Sequence, residues 1–160
     1  MMERKLRRNK QELPKEVTLQ ILRQGKVAVW AVDGDNDYPY AVPVNYVYDN
    51  GFVYIHCAKQ GHKIDAIKRN PKCSLCIIDK DDIVPEEYTC YFRSIIAFGE
   101  AVIIDTDKDK VSALKLLCNK YSKGTDPTEE INRFLKTVCI VKIRIHAITG
   151  KEAIELARKR

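Results

Sequence analysis

A chain of 160 residues that is 45% apolar and 31% charged is long enough to bury a real core and has the make-up of one ordinary globular domain. No apolar run approaches a membrane span and the first residues are too charged for a signal peptide, so a cytoplasmic protein with no membrane partner is expected. The net charge of +6 collects at Arg4, Lys5, Arg7, Arg8 and Lys10 and again at Arg158, Lys159 and Arg160, with no helix-turn-helix, zinc finger or interleaved aromatic residues, which argues against a nucleic-acid partner.

In chain order, residues 1–12 form a basic lead-in. Pro14 suits a first helical turn, Leu13, Val17 and Ile21 share one face, and Gly25 stops the helix. KVAVWAV, residues 26–32, is a strand apolar on both faces and is expected to be largely buried. Asp33-Gly34-Asp35-Asn36-Asp37 makes a hairpin connection. Residues 38–48 and 52–57 are then two strands around Asn50-Gly51, a pair that tolerates the positive φ of a type I′ turn. Gly61-His62-Lys63 opens a short amphipathic helix that Asn70-Pro71 ends.

Strand pattern resumes over residues 73–78, an acidic loop is expected over 79–87, and a long strand over 88–104 is broken by a bulge or bend at Gly99. Asp107 is the expected cap of a helix through Lys120, with Val111, Leu114, Leu117 and Cys118 on its apolar face. A second helix starts near Asp126-Pro127. The last strand covers residues 137–148, Thr149-Gly150 ends it, and a polar tail over 152–160 follows. About six mostly antiparallel strands with few helices predict a mainly β fold, a closed or partly closed barrel with peripheral helices in a single domain.

Several residues bear chemistry. Lys63 at a helix start opposes the dipole unless an anion binds there, which makes the segment a candidate phosphate seat. Pro43 cannot donate to a ladder, so its strand is an edge or its pairing is interrupted; interruption would free backbone groups near Val44, Asn45 and Tyr46. His56 and His62 lack a convincing third ligand, so no metal site is expected. His146 is a core or rim histidine. The six cysteines are Cys57, Cys73, Cys76, Cys90, Cys118 and Cys139. Cys73-x-x-Cys76 falls in a strand with no second such pair, so free thiols are expected rather than disulfides or zinc ligands. Walker, Rossmann and Gly-x-Ser-x-Gly loops do not occur in the sequence.

The stretch YPYAVPVNYVYDNGFVYIHCAKQGHKIDAIKRNPK, residues 38–72, resembles the core signature of the pyridoxamine 5′-phosphate oxidase-like flavin-binding split barrels, and most of all their 5-nitroimidazole resistance branch. The resemblance extends through RRNKQEL, KVAVWAV, FRSIIAFGEA and VKIRIHAITGK. It implies a split barrel of about six strands that forms a homodimer, with FMN in clefts between the two chains. Carried onto this sequence, Ala41–Tyr46, with Pro43 among them, would run beside the flavin ring. Backbone groups around Val44, Asn45 and Tyr46 would address its polar edge. His56, Cys57 and Ala58 would line the ribityl and phosphate region, and His62 and Lys63 would hold the phosphate. Arg93 and Ser94 would approach the flavin, joined by Lys151 from the C-terminal side of the same or of the partner chain.

The oxidase proper has an Arg-Lys pair where this chain has His62-Lys63, and its C-terminal Trp and Arg motif is absent, which argues against vitamin B6 oxidation. The implied activity is an FMN-dependent oxidoreductase that reduces nitroaromatic or other small electron acceptors, with NAD(P)H or another reductant. Catalytic residues are not legible beyond His56 and His62 as candidate proton donors near neutral pH. The alternatives are a non-enzymatic flavin-binding or redox-sensing module and a haem-binding split barrel.

Overall fold

The computed structural model describes residues 5–160; the start of the basic lead-in, residues 1–4 with Arg4, lies outside the described residues. The chain order is helix α1 (Lys15–Gln24), strands β1 (Val27–Asp33), β2 (Pro39–Asn45), β3 (Val47–Asp49) and β4 (Phe52–Ala58), then α2 (His62–Arg69). After these come β5 (Lys72–Val84), β6 (Thr89–Ile104), α3 (Asp107–Tyr121), α4 (Thr128–Phe134), β7 (Val138–Glu152) and α5 (Ile154–Lys159). The strands form one seven-stranded sheet in the order β2-β1-β5-β6-β7-β4-β3, antiparallel at every pairing.

The two edges of this sheet, β2 and β3, are successive in the chain and separated only by Tyr46. One continuous segment therefore pairs with β1 by its first half and with β4 by its second. The sheet must curl until its edges meet, yet the ladder stays open there, giving a mainly β, split barrel rather than a closed one. Its interior holds Trp30, Tyr46, Ile55, Leu75, Ile77, Ile95 and Ile143, each at most 1% exposed.

Local expectations fare well where turn chemistry decides. Asn50 and Gly51 take φ of 45° and 88°, as a type I′ turn requires, and pairing shifts register between Phe98 and Gly99. Pro43 lies on an edge strand, so the interruption falls at Tyr46 instead. Gly25 ends α1 by close approach: a Cβ there would lie 2.6 Å from the Tyr46 hydroxyl and 2.7 Å from Ile77.

Four expectations are corrected. The acidic loop is mostly strand, because residues 80–84 pair with residues 89–93 in an arm that extends past the core, where both faces can be polar. Thr106, not Asp107, caps α3, its hydroxyl accepting from Asp109 N at 3.2 Å. The last strand continues through Gly150 to Glu152, since residues 150–152 still pair with β6. Strand β1 buries only one face in this chain: Ala28, Trp30 and Val32 point inward, whereas Val27 is 49% exposed.

Candidate functional site

A cavity of about 580 Å³ opens where the end of β4 meets the start of β7 beneath α3 and α4. Leu114, Leu117, Ile131, Phe134 and Val138 give it an apolar wall, and Asn45, His56, Cys57 and Tyr121 supply its polar groups. That size falls within the ~300–1,000 Å³ common for small-molecule sites. Strand pairing explains the cluster, because His56, Cys57 and Ala58 lie opposite Ile140, Cys139 and Val138. Lys63, in the first turn of α2, lies close enough to Cys57 for its ammonium to favour the thiolate, against the larger opposing effects of burial and of Cys139. The Cys57 thiol is pushed up to about 12 on balance.

The seam at Tyr46 borders this cavity and is held by the end of α3. Tyr46 donates its hydroxyl to Leu22 O at 2.7 Å and its N–H to the Tyr121 hydroxyl at 3.0 Å. Its carbonyl accepts from Lys120 Nζ at 2.9 Å and lies 2.6 Å from the Tyr121 hydroxyl. Lys120 also donates to Gly25 O and stands 4.1 Å from the centre of the Tyr46 ring. Carbonyls and a ring face replace water less well than a carboxylate would, and burial lowers the Lys120 pKa to about 8. Burial and the neighbouring Tyr121 raise the Tyr46 phenol. The backbone of Tyr46 is thus already engaged, and Asn45 gives its side-chain amide to Lys26 O at 3.0 Å. Pro43 and Val44 precede them on the edge strand.

His62 turns away from Cys57. Its Nε2 accepts from Asp35 N at 3.1 Å, and its ring lies 4.1 Å from that of Tyr40, which ties α2 to the β1–β2 turn. Arg93, Ser94 and Lys151 form a separate group. Arg93 meets the buried Glu152 at 3.0 Å, Ser94 pairs with Lys151, and the Lys151 ammonium stands 5.3 Å from the Phe92 ring centre. Cys139 and Lys151 lie at opposite ends of β7, about 40 Å apart along the strand at ~3.3 Å per residue. One chain therefore gathers Asn45, His56, Cys57 and Lys63 and leaves Arg93, Ser94 and Lys151 remote.

The residues that sequence reasoning did not assign to the site are those of the helical wall, above all Tyr121, Ile131 and Phe134. Leu114, Leu117 and Cys118 were legible as an apolar face of α3, but that pattern is the same for a cavity wall as for a core.

The sheet order and the open seam at Tyr46 define a split β-barrel in architecture. The sequence profile described as "Pyridoxamine 5'-phosphate oxidase" matches residues 14–152, and the chain belongs to that family. Solved structures share the fold. A candidate 5-nitroimidazole antibiotic resistance protein from Bacteroides thetaiotaomicron is 23% identical, over 88% of this chain and 86% of its own, with a TM-score of 0.73. An FAD-binding protein from Mesorhizobium loti is 18% identical, over 89% and 96% of the two chains, at 0.68. An FAD and heme binding protein from Mycobacterium smegmatis is 19% identical, over 90% and 73%, at 0.75. No curated protein matches the chain. Among the described residues no helix is long and apolar enough to cross a membrane.

Proposed function

We propose that this protein binds FMN and is an oxidoreductase that reduces nitroaromatic or other small acceptors, working as a homodimer. The observation that carries this reading is the apolar cavity with His56, Asn45 and Cys57 on its wall and Lys63 beside it. The donor set suits the group: flat apolar walls for a ring system, an imidazole and an amide for its polar atoms, and an ammonium for a phosphate. Lys63 makes no ion pair among the described residues, so its charge is available to an anion. Bound flavin would carry the electrons, while the chain binds, orients and shields it. His56, exposed on the wall, is the candidate proton donor; His62, tied to Asp35, is better suited to holding the start of α2 in place.

The distance along β7 supports the homodimer. If Arg93, Ser94 and Lys151 also serve the flavin, they do so from a second chain, since in their own chain they lie at the other end of the strand.

The test is the absorbance spectrum of the protein as isolated and after incubation with FMN. Flavin bands are expected, and Lys63→Ala should weaken FMN binding about tenfold or more, the effect of losing a charge-assisted contact worth roughly 1.5 kcal/mol. Protein that is colourless and cannot be reconstituted would refute the reading. The exposed imidazole of His56 on an apolar wall favours one second reading, haem with that histidine as axial ligand. The FAD and heme binding neighbour has the same fold. A Soret band in place of flavin absorption would decide for haem.

A further inference from the structure

Cys57 on β4 and Cys139 on β7 stand directly opposite each other, and Cys139 is close enough to help raise the Cys57 thiol. Directly paired residues of antiparallel strands hold their Cα atoms about 4.5 or 5.5 Å apart. Either spacing lies within the ~4.4–6.8 Å that a disulfide spans. Both side chains leave the sheet on its inner face, the one that also carries the buried pairs Ile55–Val141 and Val53–Ile143. Among the described ladders no other cysteine faces a cysteine: Cys73 meets Gly99, Cys76 meets Ile96 and Val29, and Cys90 meets Ile83.

The two thiols differ in access. Cys139 is 4% exposed, whereas Cys57 is half-buried and forms part of the cavity wall. A solute in the cavity meets Cys57 first, and Cys139 is placed to answer from behind it. We propose that Cys57 and Cys139 are a redox-active dithiol that closes to a cross-strand disulfide when a small organic disulfide enters the cavity. This shares the cavity of the flavin reading but does not rest on it, because it needs only that the cavity admit such a molecule.

The chemistry balances without a further co-reactant. The Cys57 thiolate attacks one sulfur of RSSR, forming Cys57–S–S–R and expelling RS⁻, which takes up the proton Cys57 gave to solvent. The Cys139 thiolate then attacks the Cys57 sulfur, the disulfide bond between that sulfur and the SR group breaks, and a second RS⁻ leaves and is protonated. Two protein thiols are oxidised and one RSSR is reduced to two RSH.

Burial first, and Cys139 second, hold the Cys57 thiol up at about 12, with Lys63 opposing them. A scarce thiolate makes the first attack slow at neutral pH. The same lack of thiolate stabilisation leaves the reduced form without an advantage, so the closed disulfide resists reduction. The pair is suited to a slow, lasting response rather than to rapid turnover.

The experiment treats native protein as isolated with oxidised 2-mercaptoethanol, quenches with acid, unfolds, alkylates and maps the peptides. The alkylatable thiols are expected to fall by two from the six free cysteines, with the Cys57 and Cys139 peptides linked. The rate should rise about tenfold per pH unit between roughly pH 7 and 9, following the thiolate fraction. Cys139→Ala should stop at a persistent mixed disulfide on Cys57, and Cys118→Ser should leave the link intact. The proposal is overturned if the wild type keeps all its thiols, retains a lasting mixed disulfide on Cys57, or links any other pair.

Discussion

Lys120 donates to two carbonyls, of Gly25 and Tyr46, and stands over an aromatic ring, and among the described residues no carboxylate pairs with its charge. Burial lowers its pKa to about 8, while an unfolded lysine titrates near 10.4. Between those values the unfolded chain binds the extra proton, so this side chain contributes stability that rises with pH. Below about pH 8 both states are charged and the contribution is flat. Other groups titrate the opposite way, since the raised Tyr46 phenol favours the folded state only until the unfolded phenols ionise. The difference between wild type and Lys120→Met isolates the lysine. Urea melts from pH 7 to 10 should show the wild type gaining on the variant above pH 8; a constant difference would mean that the folded amine keeps its proton. At this scale the sequence revealed the amphipathic helix, but not that its last basic residue turns inward, because that depends on carbonyls left unpaired at a distant strand break.

Helix α3 acts on the sheet through its final turn. The Tyr121 hydroxyl accepts from the N–H of Tyr46 and lies within hydrogen-bond distance of the Lys26 and Tyr46 carbonyls, so it fills the gap where β2 ends and β3 begins. A hydroxyl has one proton, so it donates to one of those carbonyls at a time. Tyr121→Phe should cost about 1–3 kcal/mol, the penalty of leaving buried backbone groups unmet. Amide exchange at Tyr46 should quicken selectively; unchanged exchange there would show that the N–H is satisfied in another way. The hairpin at Asn50-Gly51 and the bulge at Gly99 were legible because turn and bulge chemistry is local. The length of β5 was not, since residues 79–84 carry a loop-like composition and become strand only by pairing with the aromatic-rich start of β6.

Across the whole molecule, β1 leaves one apolar face uncovered and β7 separates the His56–Cys57 group from the Arg93–Lys151 group. A homodimer would cover the first and unite the second. Sedimentation at micromolar concentration should then report twice the chain mass, and Val27→Lys, on the exposed face of β1, should shift the equilibrium towards monomer. A wild-type chain that sediments as a monomer at all concentrations would remove both the dimer and the shared site.

The residues by themselves determined the mainly β class, the Asn50-Gly51 turn, the bend at Gly99 and the family, because each rests on periodicity, backbone preference or a contiguous motif. Tertiary structure alone decided that Tyr46 is the seam of the barrel and that α3 and α4 wall the cavity. It also decided that Cys57 faces Cys139. These contacts join residues far apart in sequence, and no local pattern distinguishes an apolar face that meets the core from one that lines a cavity.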